Sequence, residues 1–311
     1  MSALAFTLLA LVLVGPVPEL LARASWPMRA PRAAVVLWQS IAVAAVLSAF
    51  SAGIAIASRL FVPGPDGRPT ATITSEVKVL GWPLWLAYIF VFALTLLVGV
   101  RLLVAVLQVA IATRRRRAHH RMLVDLLGVS RDGVSGTGHL RILDVPSPMA
   151  YCLPGVRSRV VVSNGTLNTL SDKEVTAILR HERAHLRARH DLVLEMFTAV
   201  HAAFPRWVRS ARALDAVRLL IEMLADDAAV RAAGPTPLAR ALVACAAGPT
   251  PSGALAAGGP STVVRLRRLC GRGNSRAVAA SAYLAAAAVF VVPTVALAIP
   301  WLTELQRLFM A

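Results

Sequence analysis

The sequence predicts a mainly α-helical membrane protein: four transmembrane helices and one cytoplasmic α+β domain carrying a small sheet. Three observations predict it. The composition is unusually apolar, four long apolar runs are bordered by arginine, and a polar stretch of domain size separates the third run from the fourth. Of 311 residues, 57% are hydrophobic and 16% charged, and the mean hydropathy is +0.65. One soluble core does not need that much apolar surface, whereas several bilayer spans do.

The first run covers about 2–22 and is interrupted by Pro16 and Pro18. It lacks the basic start and small-residue cleavage site of a secretory signal, so it is read as a retained span. The second, 33–57, has no charged residue and is long enough for a hydrocarbon layer about 30 Å thick. The third, 82–112, opens on Trp82 and Trp85 at a headgroup boundary. Arg101 lies towards its far end, where a long side chain snorkels to the cytoplasmic face. The fourth runs from about 277 to 299, with Trp301 just beyond.

Charge sets the expected orientation. Lys and Arg number 33 against 16 Asp and Glu, a net charge of +17. The arginines flank apolar runs and no nucleic-acid motif accompanies them, so topology and anionic lipid explain them better than direct nucleic-acid binding. Arg23, Arg29 and Arg32 lie between the first two runs, Arg114 to Arg117 follow the third, and Arg265, Arg267, Arg268, Arg272 and Arg276 lead into the fourth. The 58–81 loop is nearly balanced. The positive-inside rule then puts the N-terminus outside the cell membrane, with the 58–81 loop also outside. Residues 1–112 form three spans and that extracellular loop, 113–276 the cytoplasmic domain, and 277–311 the fourth span with a short extracellular tail. Cys152, Cys245 and Cys270 are widely spaced without a CxxC pair, which argues against a disulfide framework and reads as three reduced thiols.

Within the cytoplasmic segment, 140–145, 149–153 and the valine-rich 159–163 read as short strands. After Asn164-Gly165 the pattern turns helical. Ser171-Asp172-Lys173-Glu174 is a capping box, and Val175, Ile178, Leu179 and Leu186 define a buried face. On this helix stand His181 and His185, four residues apart, so both imidazoles project from one face and can share one ion. Glu182 is one step round, placed to take a proton from an attacking water. Two neutral nitrogen ligands and a nearby carboxylate are what hydrolysis at a metal requires. His119, His120, His139, His190 and His201 are read as solvated or structural. Asp191 stands where a third histidine of one familiar pattern would be. The third ligand is instead assigned to Glu222, a carboxylate inside the apolar helix Leu219 to Ala225, which needs a partner there. Asp226, one turn later, is placed to accept the second ring N–H of a ligand histidine. Asp227 points elsewhere and is read as solvated. The apolar stretch 192–204 contains Glu195 and His201 and is read as a domain helix.

His-Glu-x-x-His followed by Glu-x-x-x-Asp resembles the gluzincin arrangement of integral-membrane peptidases of the HtpX type and of the BlaR/MecR antirepressor type. The likeness extends upstream through Val160-Val161-Val162-Ser163-Asn164-Gly165-Thr166-Leu167 and Leu170 to Glu174, and downstream through Ala228-Ala229-Val230 and Gly234. Three spans before the domain and one after it match the BlaR/MecR layout. The resemblance implies one zinc ion per chain held by His181, His185 and Glu222, with Glu182 as general base and Asp226 behind a ligand histidine. It also implies that a substrate chain pairs with an edge strand at Ala150, Tyr151 and Cys152.

The expected function is that of a regulatory, signal-transducing zinc endopeptidase cleaving a cytoplasmic repressor of the BlaI/MecI kind. The alternative is an HtpX-like protease for quality control of membrane proteins, and a third reading is an idle membrane scaffold, against which the full ligand set argues. Beyond the protein substrate and the lipid bilayer, a homo-oligomer stays open as a partner. BlaR/MecR sensors carry a large penicillin-binding domain after the fourth span, whereas this sequence ends at Ala311. Ser75-Glu76-Val77-Lys78 matches the Ser-x-x-Lys acylation motif only formally, in a short loop. Covalent β-lactam sensing is therefore not expected.

Overall fold

The computed structural model describes residues 2–57, 62–63, 69–70, 77, 81–130, 139–204, 211–246, 255–256, 261–271 and 273–310. Most of the 58–81 loop, including all of the Ser-x-x-Lys match except Val77, lies outside the described residues. Among those that are described, Val62–Pro63 (β1) and Pro69–Thr70 (β2) pair antiparallel.

The first apolar run forms two helices, α1 (Ser2–Val14) and α2 (Pro16–Arg23). Pro16 explains the break: it has no N–H to give and its ring collides with the preceding turn. A 3-10 turn, Trp26–Arg29, leads into α3 (Pro31–Ala57). The third run is longer than expected. It continues without a break through Arg114 to Arg117 as α4 (Trp82–Leu127), 46 residues or about 69 Å at the helical rise. A bilayer core of about 30 Å can cover less than half of that. The last helix, α11 (Arg276–Met310), likewise runs past 299.

Among the described residues, four segments are long and apolar enough to cross a membrane: Ala5–Arg23, Pro31–Gly53, Trp82–Leu127 and Arg276–Ala296. α3 packs against α1, α4 and α11, and small residues on its buried face, Ala33, Ala34, Ala44 and Ala45, let the backbones approach. At Gly53 a Cβ would meet Thr95 of α4 at 2.1 Å. By contrast Phe90, Leu97 and Leu107 on α4 and Leu284 and Val292 on α11 are exposed, an outward apolar surface suited to lipid.

The domain is a small sheet with helices packed on it. Its strands are β3 (Val129–Ser130), β4 (His139–Leu143), β5 (Ala150–Leu153), β6 (Arg159–Ser163) and β7 (Leu255–Ala256), in the order β3-β4-β6-β5-β7. β4 and β6 run parallel, and the other pairs are antiparallel. One expectation needs correction here. Ala150, Tyr151 and Cys152 do not form an open edge, because Tyr151 pairs with Ala256 and Cys152 with Leu255, while β6 occupies the other side.

Five helices follow the sheet or pack beside it: α5 (Asn164–Thr169), α6 (Asp172–Arg187), α7 (His190–Ala203), α8 (Ala211–Ala233) and α9 (Pro235–Ala246), with α10 (Thr262–Leu269) just before α11. The core joins Leu140, Val160 and Val162 of the sheet to Ile178 and Leu179 of α6, Ala229 of α8 and Leu238 and Leu242 of α9. A second cluster puts Ala34, Val35 and Trp38 of α3 against Phe197 of α7 and Val217, Ile221 and Met223 of α8. The stretch 192–203 thus lies in a helix that packs on α4, with Phe197 in the cluster shared with α3, and it is not among the segments apolar enough to span. Arg101 donates to the Ala203 carbonyl at 2.7 Å, which ties α4 to the end of α7.

The start of α5 is held by buried groups. Ser163 Oγ accepts from the Thr166 amide at 3.1 Å and donates to the Ser147 carbonyl at 2.8 Å. Gly165 sits so close to the 146–147 backbone that a Cβ would fall 2.0 Å from the Pro146 carbonyl oxygen. Backbone cannot yield as a flexible side chain can. Gly165→Ala is therefore expected to destabilise the domain by at least about 2 kcal/mol, read as a lowered thermal midpoint; an unchanged midpoint would contradict the packing described.

Candidate metal centre

The site forms where α6 crosses α8. Ser171 and Glu174 cap α6 as a box, the Ser171 amide donating to Glu174 at 2.9 Å. The helix then presents His181, Glu182 and His185 inward, and all three are buried. α8 brings Glu222 and Asp226 to the same place, with Ile221, Met223 and Ala225 buried around them.

His181 Nε2 and His185 Nε2 lie 3.2 Å apart. Glu222 closes the triangle, 3.4 Å from His181 Nε2 and 3.5 Å from His185 Nε2. One ligand atom from each of the three residues lies within 4.8 Å of the others. Two imidazole lone pairs aimed at one point repel unless a proton or a cation stands between them, so the donor set suits a metal ion. The opposite nitrogens are also held. His181 Nδ1 is 3.0 Å from Asp226 Oδ1, and His185 Nδ1 is 3.0 Å from His190 Nδ1. His190 is thus buried against His185, the structural one of the two roles expected of it.

Two further contacts escaped the sequence reading. Arg265 of α10, read only as part of the basic stretch before the last helix, is buried in the site. It donates to Asp226 through Nε at 2.8 Å and Nη2 at 2.5 Å, and its Nη1 lies 3.0 Å from Glu222. The available signal was chemical: two carboxylates in an apolar helix require a cation besides the metal. Asp227, expected to be solvated, takes two bonds from Arg268 of α10 at 2.7 and 3.1 Å. On the other side Arg117 of α4 reaches Asp191 at 3.2 Å and Glu195 at 2.6 Å, so the basic run after the third apolar segment is partly spent on fixing α7.

Electrostatics follow from burial and partners. Burial opposes charge on His181, but its bonds to Asp226 and Glu222 outweigh that and raise it to about 9. Burial, with little compensation, lowers His185 to about 3 and His190 to about 4. Glu222 is held at about 2 because His185 and His181 overcome its burial. Asp226 is also held low, against its burial, by Arg265 and His181. Glu182 is pushed up to about 8 by burial. Its neighbour Cys152 is pushed up by burial and then by the Glu182 carboxylate, which keeps it a neutral thiol. Ala150, Tyr151 and Cys152 are all buried. Tyr151 OH lies 3.0 Å from His120 Nε2, and Cys152 alone of the three reaches the acidic residues of the site.

Arg265 is the cation that makes two buried carboxylates tolerable. Arg265→Ala would leave Asp226 and Glu222 without it, at an expected cost of about 3–5 kcal/mol. Thermal unfolding of the metal-free protein checks this; a change under 1 kcal/mol, on the order of an exposed pair, would show the ion pair to be unimportant.

No curated protein and no solved structure shows a significant match to this chain. The family model described as BlaR1 peptidase M56 matches residues 21–230. The match covers more than half of the chain and includes α6, Glu222 and Asp226, but stops before α10. With its apolar helices and its buried His-His-Glu cluster, the chain belongs to the BlaR1 peptidase M56 family of membrane metallopeptidases.

Proposed function

We propose that this chain is a zinc endopeptidase that cleaves a cytoplasmic repressor of the BlaI/MecI kind. The observation that carries the chemistry is the convergence of His181, His185 and Glu222 on one point. Two nitrogens bound at about 2.0–2.1 Å to a tetrahedral ion stand roughly 3.3 Å apart, and the two histidine nitrogens here are 3.2 Å apart. Two imidazoles and one carboxylate, with no thiolate, form the ligand set of a catalytic zinc with a position left open. Zinc in such a site polarises a peptide carbonyl and eases deprotonation of water.

The residues of the chain supply the rest. Asp226 Oδ1, 3.0 Å from His181 Nδ1, is placed to hold the charge on that side of the ring and leave Nε2 to ligate, and His190 stands in the same relation to His185. Glu182 takes the proton of the attacking water and passes it to the leaving amine. A carboxyl group raised by burial has the basicity that such a shuttle needs. Arg265 fixes Glu222 and Asp226 without competing for the metal.

The four apolar helices are read as spans, with the N-terminus outside. On that reading the arginines at 114–117 and on α10 lie on the cytoplasmic side by the positive-inside rule, and the catalytic domain with them. A cytosolic repressor is the substrate that this placement and the family favour.

Glu182→Gln is expected to keep zinc at one ion per chain and to lower cleavage of a co-expressed repressor at least about 10²-fold. Cleavage at the wild-type rate would remove Glu182 from the mechanism, and loss of zinc would make it a ligand. Metal binding carries its own pH dependence. His181 must give up a proton that it holds up to about pH 9 in the metal-free protein. Apparent zinc affinity should therefore rise about tenfold per pH unit from pH 6.5 towards 9. A flat profile from competition with a chelator would mean that His181 binds no metal.

A further inference from the structure

The ligand-bearing helix α8 is gripped from outside the metal site. Asp226 and Asp227 are adjacent on α8, and each receives a two-pronged guanidinium from α10. Arg265 takes Asp226, and Arg268 takes Asp227 through Nη1 at 2.7 Å and Nη2 at 3.1 Å. Three residues apart on one helix, the two arginines lie on the same face. Two forks on successive residues fix both the rotation and the axial position of α8 against α10, which a single pair would not do.

Arg268 has a second set of partners. Its Nε donates to the Met28 carbonyl at 2.8 Å, in the 3-10 turn that joins α2 to α3. Its Nη2 also reaches Asn274 Oδ1 at 2.7 Å, and Asn274 Nδ2 donates back to Asp227 at 3.0 Å. The next residue, Ser275, donates its amide to the Arg29 carbonyl at 2.8 Å, just before α11 begins. One guanidinium thus touches the helix that carries Glu222, the turn between the first two apolar segments and the entry to the last. Its side chain and that of Asp227 are 11% and 18% exposed, so solvent screens the pair far less than it does a surface pair.

We propose that Arg268 is a positioning residue for the metal centre: it pins the Glu222–Asp226 face of α8 to the junction of the apolar helices, so that ligand geometry depends on where those helices hold the junction. The proposal rests on the reading of His181, His185 and Glu222 as metal ligands. Arg268 touches none of them. It acts through Asp227 and the shared helices, and a shift of the 26–29 turn relative to α11 would be felt at Glu222 first.

The test uses the full-length protein in lipid nanodiscs and zinc alone as the probe, with affinity measured by chelator competition well below the thermal midpoint. Arg268→Ala and Asp227→Ala are each expected to weaken zinc binding roughly fivefold. The double variant should be no weaker than Arg268→Ala alone, because Arg268 acts on α8 through Asp227. Arg268→Lys keeps the charge but cannot span Asp227 and Met28 together. It should preserve the thermal midpoint and still weaken zinc, which a merely structural role would not do. Arg218→Ala, which breaks the exposed Arg218–Asp215 pair on the same helix, should leave affinity unchanged. Wild-type zinc affinity in folded Arg268→Lys and Arg268→Ala, or additive losses in the double variant, would overturn the proposal. Should the wild type bind no zinc while His181→Ala behaves identically, the metal-centre reading fails, and the pin with it.

Discussion

Buried charge governs this molecule. His181, Glu222, Asp226 and Arg265 meet in a space nearly closed to water, where an uncompensated ion costs several kcal/mol. Each group is tolerable only because the others stand at hydrogen-bonding distance. The cluster therefore dictates how α6, α8 and α10 must pack: α6 supplies the histidines, α8 the acids and α10 the cation. A helix shifted by one turn would strand a charge. The apolar residues around the cluster, Ile178, Ile221 and Met223 among them, then fill the space that this arrangement leaves.

The cluster is not isolated from the apolar helices. α8 shares a core with α3 through Val35, Trp38, Val217 and Ile221. α4 continues from its apolar part directly into the domain, where Val124 packs on Tyr151 and Val161 of the sheet and Arg117 holds α7. α10 runs within a few residues into α11. Of the helices that frame the metal centre, α8 and α10 are thus joined directly to a candidate span, by packing and by the chain itself, and α6 is held against α8. On the reading of a membrane-bound peptidase, that leaves little freedom for the site to move independently of the helices.

Much of this was legible in the sequence because it rests on helical periodicity. His181 and His185 share a face by spacing alone, the Ser171–Glu174 box marks the start of their helix, and an acid at 222 in an apolar stretch asks for a partner. The apolar runs were equally legible, although no pattern marks where a helix leaves the bilayer, so α4 extends well past 112. What was illegible depends on contacts between distant segments. Arg265 lies among arginines that look alike in sequence, and only the fold selects one for the site. β7 is two residues long, Leu255–Ala256, too short for any alternation to show, so β5 was read as an open edge. His190, read as solvated or structural, takes the structural role. It is buried because α7 turns back beneath α6 after Arg189, which takes the left-handed conformation (φ 51°).

The measurement that bears most directly on the central reading is zinc K-edge X-ray absorption of the purified full-length protein. One zinc per chain is expected, ringed by nitrogen and oxygen at about 2.0–2.2 Å with the outer scattering of two imidazoles. A sulfur scatterer at about 2.3 Å would make Cys152 a ligand in place of Glu222, and absence of bound zinc would contradict the metal centre altogether.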